Sequence, residues 1–160
     1  DAAVVDQTSA WTTVGIWGPK ARTILQKLTR ADMSHEGFKF GTCRPIEIGS
    51  QVVLASRISY VGELGWELHA TNDQMKGLYE AIWAAGQAHG IRDFGIYAVD
   101  SLRLDKGYRG WKGDLEIGFS PFDASLDRFV DLNKPAFVGK DALVAEKAAG
   151  SPWRFVSMRR

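Results

Sequence analysis

Trp66, Leu68 and Ala70 alternate with Glu67 and His69, the period of a strand that turns one side to a core and the other to solvent or a polar pocket. Upstream, Val52, Val53, Leu54 and Ile58 form a nearly continuous apolar run, which predicts a largely buried strand. Gly62 and Gly65 break the pattern between the two and mark the bend. Gly41 to Ile48 and Gln51 to Ser59 predict a hairpin turning at Gly49-Ser50, with Cys43 a small buried residue of its first strand. Earlier, Thr12 to Trp17 is rich in β-branched and aromatic residues and ends at Gly18-Pro19. A strand is expected there, followed by a helix with Pro19 in its first turn and Ala21, Ile24, Leu25 and Leu28 on one face. Arg30 to Lys39 is polar and reads as a surface loop.

Downstream, Thr71 and Gln74 have the spacing of a capping box, ahead of an apolar stripe of Met75, Leu78, Tyr79, Ile82 and Trp83 that predicts a core-facing helix. Gly90 is placed to stop it, and His89 to complement the helix dipole. Phe94 to Gly107 predicts a third helix, in which Asp100 and Arg103 are spaced for an intrahelical pair. Tyr108 to Asp114 is irregular, aromatic and glycine-rich, the composition of a functional loop. Leu126, Phe129, Val130 and Leu132 suggest a strand, Asn133 to Pro135 a turn, and Gly139 to Gly150 a last helix, after which Trp153 and Phe155 begin another strand. Strand, helix, several strands, helix is an α+β order: an antiparallel sheet with helices packed on one side, of the ferredoxin-like or split βαβ kind.

Composition narrows the function classes. A length of 160 residues suffices for a real core, and a net charge of +1 gives no electrostatic footprint for nucleic acid or an anionic membrane. No apolar run reaches spanning length. Cys43 is the one cysteine and the three histidines are scattered, so neither a disulfide framework nor a zinc motif is expected, and a reducing cytoplasm fits. The chain starts at Asp1 without a methionine, the form of a fragment.

Two side chains carry candidate chemistry. Glu67 lies opposite Trp66 and Leu68, either in solvent or in a polar pocket; a carboxylate there offers two oxygens to a flat ligand with adjacent N–H donors. Tyr60, in the loop before it, either contacts a ligand or caps the core with its hydroxyl in water.

Three motifs stand in register: Ser-Tyr-Val-Gly-Glu-Leu-Gly-Trp-Glu-Leu from Ser59, Asp-Ser-Leu-Arg-Leu-Asp-Lys-Gly from Asp100, and Phe-Val-Gly-Lys-Asp-Ala-Leu from Phe137. Together they resemble the tetrahydrofolate-binding aminomethyltransferase family, that of the glycine cleavage T-protein. The run from Lys106 to Leu115 is similar to the folate domains of dimethylglycine and sarcosine dehydrogenases. The resemblance implies a folate-binding domain over residues 1–152, its N-terminal part missing, and the start of a truncated C-terminal barrel domain at 153–160. It implies tetrahydrofolate as the small-molecule cofactor, with Glu67 on the donor edge of the pterin, Arg103 beside the pterin and Tyr60 lining the site. It implies one-carbon transfer from an amine carrier or a fused dehydrogenase domain, with FAD only in a missing upstream domain.

The family's catalytic aspartate belongs before residue 1, so no catalytic residue is assigned in this chain. A fragment inactive alone and prone to self-association through uncovered apolar surface is the corresponding expectation. The alternative is a non-catalytic folate-binding module, similar to a maintenance protein for iron–sulfur enzymes that carries a Lys-Gly-Cys motif. The matching region here reads Phe-Val-Gly-Lys-Asp-Ala, without cysteine.

Overall fold

A computed structural model describes residues 2–158. Its elements are β1 (Trp11–Trp17), α1 (Ala21–Gln26), β2 (Cys43–Ile48), β3 (Gln51–Ser56), β4 (Gly65–Thr71), α2 (Asn72–Gly86), α3 (Ile96–Asp105) and α4 (Lys140–Ala149), with short 3-10 turns at Gln87–His89 and Asp127–Phe129. The chain divides into two compact units, Asp1–Leu102 and Arg103–Arg160.

The first unit is an antiparallel four-stranded sheet in the order β1-β4-β3-β2, with helices on one side, as the alternation predicts. β4 pairs along its whole length with β1, from Trp11 opposite Thr71 to Trp17 opposite Gly65. Its pairing with β3 is shorter and sets Ser56 opposite Glu67. The pleat sends Ile16, Ile46, Ile48, Val53, Ala55, Trp66, Leu68 and Ala70 to one side, where they meet Ile24 and Leu25 of α1 and Leu78 and Ile82 of α2. Trp66 is fully buried and meets Phe38 edge to face at 6.0 Å between ring centroids.

Several expectations are corrected. The β3 run is half-buried: Val53 is inside while Val52 and Leu54 are exposed, because β3 lies in a sheet with one bare side. Cys43 is exposed for the same reason, sharing the outer face of edge strand β2 with Pro45 and Glu47. Thr71 is the N-cap of α2 but makes no capping bond, so the expected box does not form. Instead Asn72 ties this end of α2 to the segment before β1: its backbone N–H donates to Ala10 O, its side-chain amide to Ser9 O, and it accepts from the Thr12 hydroxyl. Of the α2 stripe, Leu78 and Ile82 are buried, but Tyr79 and Trp83 stack on each other toward the surface. His89 lies in the last turn of the 3-10 segment that follows α2, with its Nε2 2.7 Å from Lys27 Nζ.

The second unit, described by itself, holds α4 and a long irregular segment. The strand expected near residues 126–132 is a 3-10 turn, entered from Ser125 at φ 53°. No strand forms at Trp153 to Val156 among the described residues; Phe155 instead donates its N–H to Asp123 O at 2.7 Å. Gly139 and Gly150 bound α4 with φ of 86° and 82°, backbone that only glycine adopts readily.

Candidate functional site

The bare face of the sheet follows from the same alternation that builds the core. β4 turns Gly65, Glu67 and His69 outward while Trp66, Leu68 and Ala70 point in. Glu67 is half-buried, flanked by Gly15 on β1 and Ser56 on β3. Among the described residues its carboxylate makes no hydrogen bond or ion pair, so both oxygens can accept from outside the chain.

An aromatic ring covers the place beside it. A Cβ on Gly15 would sit 2.1 Å from Cη2 of Trp17, and one on Gly65 would sit 2.3 Å from its Cδ1. Gly15 makes room for the indole, and Gly65 for the Ile16 carbonyl oxygen, 2.2 Å from such a Cβ, as well as for the indole, which lies over the residue paired with Glu67 and is tied through Nε1 to Ile58 O at 3.3 Å. A glycine inside an otherwise β-branched strand is a signal of such close approach. Gly15 carried that signal, and reading Gly65 as part of the bend alone missed it.

Along the outer edge of β1 runs a cleft of about 280 Å³, lined by Gly15, Trp17, Tyr79, Trp83, Asp93 and Phe94 among others. Tyr79 donates to Asp93 Oδ2 at 2.7 Å, and that bond to a carboxylate raises the pKa of its phenol. Glu67 does not line this cleft; its surroundings are the open sheet surface. Tyr60 lies in the segment joining β3 to β4 and is 37% exposed.

Arg103 belongs to the second unit. It is 6% exposed, and its Nη1 donates to Tyr108 O at 3.0 Å and to the Asp114 carboxylate. The Gly110 N–H reaches the same carboxylate oxygen at 2.8 Å and, with Arg103, holds the Asp114 carboxyl below the usual range. The spacing of Asp100 and Arg103 pointed to a surface pair. Arg103 is buried rather than on the surface, and its link to Asp114 fastens the 107–114 loop. Sequence reasoning passed over Asp114, whose partner lies eleven residues away.

No group of residues suited to hold a metal ion occurs among the described residues, and no helix there is long and apolar enough to cross a membrane.

The outer sheet face thus sets an unpaired carboxylate beside an indole. The chain belongs to the GCVT N-terminal domain family, whose model matches residues 1–134. It is 44% identical to dimethylglycine dehydrogenase of Mus musculus over 159 residues, which is 99% of this chain and 18% of that protein. It is 40% identical to human sarcosine dehydrogenase, covering 96% of this chain and 17% of that one. An aminomethyltransferase of Lysinibacillus sphaericus is 35% identical over 99% of this chain and 43% of its own length. The chain thus spans less than a fifth of the dehydrogenases it matches. In fold it is similar to the heterotetrameric sarcosine oxidase of Corynebacterium sp. U-96, with a TM-score of 0.50 and 18% identity over 58% of this chain and 46% of that one.

Proposed function

We propose that the outer face of the sheet at Glu67 holds the pteridine ring of a reduced folate, and that the longer protein uses it to receive a one-carbon unit from an N-methyl amine such as dimethylglycine or sarcosine. The unpaired Glu67 carboxylate beside Trp17 carries this reading. Two carboxylate oxygens match the adjacent amino and ring N–H donors of a pterin, and the indole offers a flat apolar wall. Tyr60, in the loop before β4, contributes a hydroxyl. When bound, the folate supplies the N5 and N10 amines that take up the carbon. The chain's own residues bind and orient it.

A flavin in a fused dehydrogenase domain would release the carbon from the amine in the longer protein. We place the protein in the cytoplasm, where the exposed Cys43 stays reduced. Ile117 and Val138, whose side chains are wholly exposed, suit self-association of this chain; a monodisperse monomer in light scattering contradicts that part.

Calorimetric titration of 5-formyltetrahydrofolate into the chain and into Glu67→Ala tests the site. Losing a charge-assisted acceptor weakens binding by about ten- to a hundredfold. Equal affinities remove Glu67 from the site.

A further inference from the structure

The two edges of the sheet differ. On β2 the Arg57 N–H donates to Thr42 O, and the ladder alternates from there, so the main-chain groups that point away from β3 belong to Cys43, Pro45 and Glu47. Pro45 has no N–H to offer and is flanked by the charges of Arg44 and Glu47, which closes this edge to a further strand. On β1 the bonds from Asn72 N–H to Ala10 O and from Gly18 N–H to Leu64 O set the phase: the even residues serve β4, and Thr13, Gly15 and Trp17 turn their N–H and C=O outward. These outward groups have no main-chain partner among the described residues, and the strand, Trp-Thr-Thr-Val-Gly-Ile-Trp, holds neither proline nor charge. Its outer-face side chains lean back over β4, Thr13 Oγ1 to His69 Nδ1 at 2.7 Å and the Trp17 indole over Gly65. The edge itself is left open.

Along this edge runs the cleft of about 280 Å³, with an apolar floor of Tyr79, Ile82 and Trp83 and with Arg92 in its wall. The edge from Thr13 to Trp17 is roughly 16 Å of extended chain, and what pairs with such an edge is another extended chain. The first unit holds a segment of that length: Ala2-Ala3-Val4-Val5-Asp6, without secondary structure and exposed throughout, with Val4 at 99% and Val5 at 72%. Consecutive side chains of an extended segment face opposite ways, so in either register one of the two valines meets the apolar floor. Asp6 is the one charge of the segment and is opposite in sign to Arg92, while Asp93 beside it is engaged by the Tyr79 hydroxyl. The turn that follows is fixed by bonds from the Thr8 N–H and hydroxyl to Asp6 Oδ1, from Ala10 N–H to Gln7 O and from the Asn72 amide to Ser9 O. With those bonds made residues 2–6 stand exposed and unpaired, and the edge they fit is a second copy's.

We propose that residues 2–6 of one copy add as a further strand to the outer edge of β1 in a second copy, hydrogen-bonding to Thr13, Gly15 and Trp17 and setting a valine against Tyr79, Ile82 and Trp83. Self-association of this chain is then an exchange of strands within the first unit. It is independent of the folate reading at Glu67 and does not use Ile117 or Val138.

The experiment reads the mass by light scattering over a dilution series for wild type, Val4→Asp/Val5→Asp, Thr13→Pro and an equimolar mixture of the two variants, with circular dichroism confirming that each is folded. Val4→Asp/Val5→Asp keeps the edge and spoils the segment. Thr13→Pro keeps the segment and removes one outward N–H, which an edge strand accepts because its ladder to β4 uses the even residues. Thr13→Lys, which charges the edge and leaves the backbone intact, takes its place where the proline disturbs the fold. Wild type associates, each variant alone is monomeric, and the mixture restores a one-to-one complex because each variant supplies what the other lacks. In wild type the amides of Thr13, Gly15 and Trp17 exchange about tenfold or more slowly on association, while those of Val14 and Ile16 are unchanged. A monomeric wild type overturns the proposal. Association that Val4→Asp/Val5→Asp leaves intact also overturns it, and leaves Ile117 and Val138 as the surface responsible.

Discussion

The two units are held together by different forces. The first has a continuous apolar core spread over the sheet, α1 and α2, whereas Ala124 is the one buried hydrophobic residue of the second among the described residues. Polar ties replace the core there. Arg109 donates to the carbonyls of Ala124 (3.0 Å), Gly107 (2.6 Å) and Ser125 (3.3 Å) and lies 4.6 Å from the Phe155 ring centroid. Asp123 accepts from the Ser120 N–H at 2.9 Å and from the Ser151 hydroxyl. Apolar burial is non-directional and tolerates adjustment, while a network of directed bonds loses its function when one partner goes. The first unit should therefore resist changes of pH and salt that loosen the second.

The sharpest way to break this contrast is in the core. Trp66→Ala should cost the first unit about 3–5 kcal/mol in urea denaturation followed by circular dichroism, since no rearrangement fills so large a cavity at a fully buried site. A loss below about 1 kcal/mol would mean that the core is not where the stability resides. Next, Asp114→Ala should destabilise the second unit by about 2 kcal/mol, because it removes a charge-assisted bond to Arg103, whose side chain is 7% exposed. Hydrogen exchange should rise in residues 103–158 and stay unchanged in β1 to β4; uniform acceleration would contradict independent support.

Acid separates the units further. The carboxyls of Asp114 and Asp123 titrate below the usual range in the folded chain, held there first by the Gly110 N–H and the Ser151 hydroxyl respectively. A carboxyl with a depressed folded value contributes stability above its unfolded value of about 4, and loses it as pH falls through the folded one. Exchange protection in the second unit should thus fall between pH 5 and pH 2, and Asp114→Asn should flatten that fall. Smaller still, Gly90→Ala should cost about 1 kcal/mol, because Gly90 sits at φ 74°. Smallest is Thr71→Ala: a working cap would cost about 1 kcal/mol, and with no capping bond present a change of a few tenths is expected.

The same contrast explains what the chain reveals on reading. Periodicity reports apolar burial, so the alternation in β4, the helical face of α1 and the hairpin at Gly49-Ser50 are all visible in the residues. It misleads where a face is bare, and there Val52, Leu54 and Cys43 look interior although they are exposed. In the second unit the structure depends on partners distant in sequence, such as Arg103 with Asp114 or Arg109 with Ala124, which no local pattern encodes. The site divides likewise. Glu67 stands out by its position opposite the core residues, whereas the indole beside it became visible only through the glycines that make room for it.

The most direct test is a map of backbone amide shifts in the labelled chain as 5-formyltetrahydrofolate is added. The largest changes are expected on the outer face of the sheet, at Gly15, Trp17, Ser56 and Glu67, with the core residues opposite them nearly still. Saturable changes confined to the cleft at Tyr79, Trp83 and Phe94, with Glu67 unmoved, would contradict it.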